Sequence, residues 1–220
     1  MLSCPLCQNS SCSIFYQDKK RSFYSCPRCC LIFADGRSQL PPQALKQRFS
    51  QPSPAKKQQQ LANFVLPLLD QLHQLTASQL HGLNYGRILD AASQQIITEQ
   101  GHLLEQYDPF IAPNHQVLRH SYDFICCYRV FEHFRNPQRE WALLCRLLKT
   151  GGWLAISTRM LSDNADFGKW HYKNNLAHVA FFHAKTFSYL AENSGFTLLF
   201  AADDFILMQK TSESGINPAL

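Results

Sequence analysis

The sequence predicts a doubly wound α/β domain preceded by a small metal-binding β-module, and three observations carry this prediction. Strand-like and helix-like segments alternate from residue 87 to residue 210, as they do when helices cover both faces of a parallel sheet. The segment Tyr122–Tyr128 is a nearly continuous apolar run, which is typical of a central strand. Two C-x-x-C pairs precede this region, near the start of the chain.

The composition indicates a folded protein in a reducing environment. The chain has 220 residues, of which 45% are hydrophobic and 12% aromatic, enough for one ordinary domain and a small module. No apolar run approaches the ~20 residues that span a bilayer, and the N-terminus lacks the pattern of a signal peptide. Nine cysteines, an odd number, favour metal ligands and core residues over disulfides. We therefore expect a cytoplasmic protein without a membrane segment.

The N-terminal module, residues 1–36, carries the most specific pattern. Cys4 and Cys7 form one C-x-x-C pair, and Cys26 and Cys29 form a second. Four thiolates from two such turns can enclose a tetrahedral zinc ion, and the alternating residues between the pairs predict a β-hairpin. Cys30 could replace Cys29 as a ligand, although Cys29 keeps the spacing, and the alternative is that the cysteines only fill a core. We predict a zinc ribbon whose closed four-thiolate site is structural and does not activate water.

Residues 37–60 are rich in Pro, Gln, Ser and Lys and are predicted to form a linker with a short helix around Gln43–Phe49. Residues 1–60 contain nine Lys and Arg against two Asp, so the basic character of the chain is concentrated there. Such a segment is either a solvated surface or a site for an anionic partner such as nucleic acid. The sequence leaves both interpretations open.

Residues 61–210 are predicted to form the α/β domain, and residues 211–220 a tail. Apolar residues at helical spacing from Leu61 to Leu75 indicate an amphipathic helix, in which Pro67 marks a kink or a late start. The motif Asn136-Pro137 begins a later helix, and Thr150-Gly151-Gly152 stops it. The predicted strands are Arg87–Ala92, His102–Tyr107, Tyr122–Tyr128, Trp153–Ser157, Phe196–Ala201 and Phe205–Lys210, and the other helices are Gln94–Gln100 and Ala184–Ser194.

One stretch of this domain carries a family resemblance. The sequence Y-D-F-I-C-C-Y-R-V-F-E-H-F-R-N-P, followed by L-L-K-T-G-G-W-L-A-I-S-T, resembles the fourth strand, loop, helix and fifth strand of class I S-adenosylmethionine-dependent methyltransferases. The similarity extends over residues 87–200. Within the family, the chain resembles the small-molecule branch, in which a zinc-binding module precedes the transferase. It implies a Rossmann-like sheet with an antiparallel C-terminal hairpin, S-adenosylmethionine as cofactor and a small-molecule methyl acceptor.

The resemblance also implies which residues bind the cofactor. When the family motif hydrophobic-Asp-x-Gly-x-Gly-x-Gly is aligned on Leu89-Asp90, its glycines fall on Ala92, Gln94 and Ile96, so the loop must change shape or lose affinity. Asp90 would support the cofactor's amino group or cap the next helix. Asp108 in Y-D-P-F would bind the ribose hydroxyls, or would serve only as a turn residue. Only 14 residues separate Asp108 from Asp123, so the expected helix and third strand are predicted to be abbreviated.

Other candidate residues lie on the loops after the fourth and fifth strands. Arg129, Glu132 and His133 follow the fourth strand, at the edge of the sheet where α/β proteins bind ligands. Arg129 is predicted to contact the cofactor. His133 and His171 are the candidate proton acceptors, because imidazole titrates near neutrality, and the alternative is that each is structural. Tyr172, His178 and His183 lie in the segment that covers the substrate in the family.

Two functions from different classes follow. The first is a methyltransferase that acts on a small molecule and carries a structural zinc ion. The second is a non-catalytic scaffold that binds a partner, such as nucleic acid, through the basic ribbon and linker; the missing glycines favour it. The sequence predicts neither the acceptor nor the oligomeric state.

Overall fold

The computed structural model of the protein describes residues 2–50, 59–60, 63–66, 68–70, 72, 78–110, 113–163, 165–202 and 204–211. The described chain forms two sheets. A four-stranded sheet lies in the N-terminal region, and a six-stranded sheet forms the centre of the α/β domain. Among the described residues, no helix combines the length and the apolarity that crossing a bilayer requires.

The six-stranded sheet confirms the predicted fold class. Its strands are β4 (His81–Tyr85), β5 (Leu103–Tyr107), β6 (Tyr122–Tyr128), β7 (Leu148–Ser157), β9 (Phe196–Ala202) and β10 (Phe205–Lys210). Their order in the sheet is β5-β4-β6-β7-β10-β9. The first four strands in this order are mutually parallel, whereas β10 runs antiparallel to both β7 and β9. The C-terminal hairpin therefore closes one side of the sheet.

Local signals position the helices that flank the sheet. Asn136 caps the helix Pro137–Leu147 by accepting a hydrogen bond from the N–H of Arg139, and proline occupies the first turn. Gly195 ends α4 in the left-handed conformation, with φ of 70°. Residues 63–66 and 68–70 are helical, as predicted, whereas Leu61, Pro67 and Leu75 lie outside the described residues. The four helices with defined bounds are α1 (Pro42–Phe49), α2 (Ala91–Glu99), α3 (Pro137–Leu147) and α4 (Ala184–Ser194).

The first strand of the sheet is not where the sequence pattern placed it. The prediction of a strand over Arg87–Ala92 was wrong, because the strand is β4 and Ala91 already begins α2. Gly82 interrupts the apolar pattern of β4, since it makes room for the ring of Phe124 on β6: a Cβ at Gly82 would lie 2.0 Å from that ring. Gly86, with φ of 115°, then ends the strand.

Two further boundaries differ from the expectation. Strand β7 begins directly after α3, so Gly151 and Gly152 lie within the strand instead of separating it from the helix. Between β5 and β6 the described residues contain a short 3₁₀ helix, His115–Arg119, and no further strand, which makes β5 the edge of the sheet. The abbreviation predicted after Asp108 is therefore present in the described residues.

The N-terminal sheet has the form of a ribbon built on two equivalent turns. The amide of Gln8 donates to the carbonyl of Cys4, and the amide of Cys30 donates to the carbonyl of Cys26, both at 3.0 Å. Gln8 and Cys30 have φ of 59° and 58°, so each residue that follows a C-x-x-C pair adopts the same left-handed conformation. The predicted hairpin joins the two turns. The strands are β1 (Ser13–Gln17), β2 (Ser22–Ser25) and β3 (Ile32–Ala34).

The ribbon is joined to the α/β domain through a shared sheet and a shared core. A strand of the larger domain, β8 (Ala180–Phe181), pairs antiparallel with β3. The amide of Gln138 in α3 donates to the carbonyl of Pro5. One hydrophobic core contains ribbon residues such as Leu6 and Leu31 together with the residues that pack around β6. The ribbon therefore supports the segment that precedes α4.

Candidate functional site

The carboxyl ends of β4 and β5 meet at Gly86 and Asp108. The amide of Gly86 donates to the carbonyl of Tyr107, 2.8 Å away, so the residue that follows Tyr107 lies beside the turn that ends β4. A Cβ at Gly86 would lie 2.9 Å from the Cβ of Val130, and the positive φ adds backbone strain for any other residue. Gly86 thus permits a close turn at the edge where parallel α/β sheets bind ligands.

The position of β4 changes the register of the family motif. Leu83-Asn84-Tyr85-Gly86 fits hydrophobic-Asp-x-Gly, with Asn in place of Asp, so the first glycine of the motif is present. The positions of the other two glycines then fall on Ile88 and Asp90. The alignment on Leu89-Asp90 was wrong, because it rested on a strand that the structure does not contain.

The side-chain amides of Asn84 and Gln106 form hydrogen bonds that fix the loop after β4. Asn84 is fully buried, and its Nδ2 donates to the carbonyl of Arg87 (2.5 Å) and to Oε1 of Gln106 (3.1 Å). Oε1 of Gln106 also accepts the amide of Leu89, at 2.6 Å. Oδ1 of Asn84 has no hydrogen-bond partner within the described part of the chain. An acceptor buried in this way ordinarily has a donor from a ligand or a water molecule.

Asp108 is buried and its orientation is defined. Its Oδ1 accepts the amide of Phe110, 2.7 Å away, in an Asx turn across Pro109. The ring of Phe110 stacks on Phe49 of α1, with centroids 5.3 Å apart, and Phe49 contacts the His133 ring edge-on at 4.8 Å. Helix α1 therefore covers the sheet edge between Asp108 and the loop after β6.

Asp90 and Ala92, two of the predicted cofactor ligands, lie at the start of α2, the helix that follows the loop after β4. Asp90 is exposed and directly precedes α2, where its carbonyl accepts the amide of Gln94 at 3.1 Å. Ala92 is exposed in the first turn of α2. The structure therefore places Ala92 in a helix and not in the loop that the alignment on Leu89-Asp90 predicted.

The loop after β6 brings Arg129 and Glu132 to the same edge. Arg129 has φ of 51°, an uncommon conformation for a side chain of this size, and its guanidinium pairs with Asp204. Glu132 is buried and accepts Oγ1 of Thr158 at 3.0 Å and the hydroxyl of Tyr172 at 2.5 Å. Burial and the neighbouring Glu132 carboxylate raise the pKa of Tyr172, so that hydroxyl stays protonated and donates.

The half-buried His133 and the buried His178 form a pair behind this loop. Nδ1 of His133 is 2.8 Å from the carbonyl of Ala177, and Nδ1 of His178 is 2.9 Å from the carbonyl of Tyr172. A carbonyl only accepts, so each Nδ1 carries the proton. Each Nε2 is therefore the unprotonated nitrogen, and the Nε2 of His178 lies 2.8 Å from Nδ2 of Asn175. His171 instead is exposed at the start of a 3₁₀ turn, and the structure does not bring it to His133.

The buried histidines predict a pH-dependent stability. Burial is the main cause that lowers the pKa of His133 and of His178 from 6.5 to about 4. Between about pH 6.5 and pH 4 the unfolded chain therefore binds more protons than the folded one. The free energy of unfolding should decrease as the pH falls through this window, by about 3 kcal/mol in urea titrations, once solvent screening is allowed for.

A matched double variant isolates these two groups from other acid effects. His133→Asn with His178→Asn keeps a nitrogen donor near each Nδ1 position but removes both titrating rings. Its stability should vary less with pH over this window than that of the wild type. Parallel pH curves for the two proteins, or a histidine ring NMR titration showing either ring protonated at pH 7, would contradict the assignment.

The four predicted zinc ligands lie together in the ribbon. The Sγ atoms of Cys4 and Cys29 are 3.5 Å apart, those of Cys7 and Cys26 are 3.4 Å apart, and all four ligand atoms lie within 4.8 Å of one another. Zinc–sulfur bonds of about 2.3 Å in a tetrahedron place the sulfurs about 3.8 Å apart. Hydrogen bonds from Cys29 and Cys4 lower the pKa of the Cys7 thiol. Cys30 is half-exposed, whereas Cys29 is buried, so the geometry favours Cys29.

Sequence reasoning missed several residues of this site. Asn84 and Gly86 were overlooked because R-I-L-D has a more strand-like apolar pattern than H-G-L-N-Y. Gly86, directly after an alternating run, was nevertheless an available signal for the end of a strand. Arg159, which follows β7, had no local pattern to mark it. The contact between His133 and His178 joins residues 45 positions apart, with ring centroids 5.0 Å apart, and no sequence spacing predicts it.

Known protein families and solved structures include relatives of this chain. A family model described as "Methyltransferase domain" matches residues 36–200. The solved structure of 1,6-didemethyltoxoflavin-N1-methyltransferase from Burkholderia thailandensis, with bound 1,6-didemethyltoxoflavin and S-adenosylhomocysteine, is 15% identical, has a TM-score of 0.55, and the match covers 91% of this chain and 100% of that chain. An O-methyltransferase family protein from Burkholderia thailandensis is 11% identical, with a TM-score of 0.47 and coverage of 72% and 59%. A search of curated proteins found no match.

These findings establish the family. The family model spans more than half of the chain and extends from before β4 into β9. The first solved structure shows that the fold is shared over nearly the whole chain. The chain belongs to the methyltransferase-domain family, within the class I S-adenosylmethionine-dependent methyltransferases.

Proposed function

We propose that this protein transfers a methyl group from S-adenosylmethionine to a small-molecule acceptor, at the carboxyl ends of β4, β5 and β6. The observation that carries the proposal is the juxtaposition of Gly86 and the buried carboxylate of Asp108 at adjacent strand ends. The relative with 15% identity has a small molecule and S-adenosylhomocysteine bound, which supports the acceptor class. The nine free cysteines are consistent with a reducing, cytoplasmic location.

The residues present fit the cofactor at three points. Gly86 leaves the backbone free of a side chain at the turn, and Asp108 offers a carboxylate to ribose hydroxyls. The buried Oδ1 of Asn84 offers an acceptor for a donor from the cofactor or a bridging water. Ile88 and Asp90 depart from the glycines of the family, but the loop that carries them is held by Gln106. Arg129 is retained as a proposed cofactor contact.

The chain's own groups would orient the acceptor and accept its proton. When bound, S-adenosylmethionine supplies a methyl group already activated by its sulfonium, so alignment is the main task of the protein. His133 is the better placed proton acceptor, because its Nδ1 is engaged with Ala177 and its lowered pKa keeps Nε2 unprotonated. His171, on the exposed turn before Tyr172, remains the second proposed proton acceptor. The NMR titration described above tests His133, since a ring already protonated at pH 7 could not take up a proton.

Asp108→Asn tests the proposed cofactor site. The asparagine oxygen can still accept the amide of Phe110, so the turn should persist, while the charge that would bind the ribose hydroxyls is lost. We expect isothermal titration with S-adenosylhomocysteine to show an affinity about 30- to 100-fold lower than that of the wild type, corresponding to about 2–3 kcal/mol.

An exposed aspartate provides the control for charge. Asp166→Asn removes the same charge from a distant loop and should bind S-adenosylhomocysteine as the wild type does. Equal affinity in Asp108→Asn and the wild type would show that Asp108 is only a turn residue. No binding to folded wild-type protein at millimolar concentration would overturn the proposed function itself.

The cysteine cluster supports a structural zinc ion as a second component of the proposal. All four cysteines are buried, and their four sulfur atoms lie within 4.8 Å of one another. A closed four-thiolate site stabilises structure and does not activate water. We therefore propose that zinc maintains the ribbon, and that the ribbon positions residues 173–181.

A further inference from the structure

A cavity of about 390 Å³ lies at the ends of β6 and β7, on the side of the sheet edge away from Asp108. Its size suits part of a small ligand. The strand order places the end of β4 between this cavity and the end of β5. The lining includes Arg87, Tyr128, Arg129, Arg159, Tyr172 and Asp204.

The lining carries an excess of positive charge. Among the described residues that line the cavity, three arginines accompany one carboxylate, and that carboxylate, Asp204, is paired with Arg129. Arg159 forms no ion pair with any carboxylate in the described residues, and its side chain is exposed. Guanidinium groups bind carboxylate and phosphate strongly, through paired, charge-assisted hydrogen bonds. The cavity is therefore complementary to an anionic group.

The polar groups around the cavity are held in place. The Tyr172 hydroxyl donates to the buried Glu132, which also accepts from Thr158 at the end of β7. The amide of Arg129 donates to the carbonyl of Ser157 at 2.8 Å, so its left-handed backbone is fixed to the neighbouring strand. Non-glycine residues held in this conformation are concentrated at functional sites.

We infer that this cavity is the anion subsite for the methyl acceptor, which would carry a carboxylate or a phosphate group. The inference rests on the proposed function, because the ribose site at Asp108 and the turn at Gly86 leave the ends of β6 and β7 for the acceptor. The methionine carboxylate of the cofactor has the same chemistry as such a group. The experiment must therefore separate these two sources of the anion.

Inorganic phosphate is the probe, titrated into protein saturated with S-adenosylhomocysteine. Wild-type protein should bind phosphate, and Arg159→Gln should weaken that binding about fivefold, a modest factor because Arg159 is exposed to solvent. Arg159→Lys keeps the charge and should restore part of the affinity. Arg146→Gln, an exposed arginine on α3, is the matched control and should bind as the wild type does.

A second arm identifies the source of the anion. S-adenosylhomocysteine carries the amino-acid carboxylate, whereas 5′-methylthioadenosine lacks it. Arg159→Gln could weaken the binding of S-adenosylhomocysteine and leave the binding of phosphate and of 5′-methylthioadenosine unchanged. In that case the subsite belongs to the cofactor and the inference is overturned. Equal phosphate binding by Arg159→Gln and the wild type also overturns it. Phosphate titration without S-adenosylhomocysteine still measures the subsite if the cofactor proposal fails, so the two failures are distinguishable.

Discussion

Replacing Cys29 with serine is expected to release zinc and unfold the ribbon, whereas replacing its neighbour Cys30 is expected to leave both intact. Cys29 is fully buried with its Sγ 3.5 Å from that of Cys4, whereas Cys30 is half-exposed in a left-handed turn conformation. Structural zinc contributes about 10–16 kcal/mol of apparent binding energy to small zinc modules. Losing one of four thiolates should therefore cost several kcal/mol.

Metal analysis and thermal unfolding measure this prediction. We expect about one zinc per chain in the wild type and in Cys30→Ser, as four thiolates complete one site, and much less in Cys29→Ser together with a lower melting temperature. The ribbon shares a core and a sheet with the α/β domain, so the loss should reach the segment before α4. Loss of zinc in Cys30→Ser but not in Cys29→Ser, or equal melting temperatures for the two variants, would refute the ligand assignment.

Replacing Arg21 with methionine is the second change for which we expect a large effect. Arg21 is buried at the tip of the ribbon hairpin, where its guanidinium donates to the carbonyls of Lys173 (2.9 Å), Asn175 (3.2 Å) and His178 (2.7 Å). Burial lowers the pKa of the Arg21 guanidinium below its ordinary value, but the group remains charged. Removing it leaves three carbonyls without this donor, so we expect a loss of about 3 kcal/mol in the free energy of unfolding.

A nearby lysine provides the control for charge on the same hairpin. Lys20→Met removes a positive charge from an exposed side chain and should change the stability little. In Arg21→Met, the NMR signals of the His178 ring should shift as well, because the segment that carries it loses its anchor. Equal stability of the two variants would show that Arg21 does not couple the ribbon to the site.

Arg21 also changes how the basic N-terminal region is interpreted. One of its nine basic residues is used inside the protein, where it binds backbone carbonyls and is inaccessible to a partner. A second, Arg28, lies over the ring of Tyr189 at 5.7 Å. The structure therefore gives part of this charge a role within the fold, which is consistent with the methyltransferase function.

The sequence was most informative where short-range rules apply. The limits of α4 and β10 were predicted to the residue. For α4 the signal is Gly195, which ends the helix. Strand β6 was recognised because a buried parallel strand is apolar on both faces. The first strand was misplaced because Gly82 and Asn84 weaken its apolar pattern, and their reasons lie in other strands: the ring of Phe124 and the amide of Gln106.

By itself the sequence determined the fold class, the paired cysteines and the acidic residue at the end of β5, since each depends on residues close together in the chain. Only the tertiary structure decided the register of the glycine motif, the pairing of His133 with His178, and the docking of Arg21 on residues 173–178. It also brought together the arginines at the ends of β6 and β7. These features join distant segments through burial and hydrogen bonding, and local propensity contains no information about such partners.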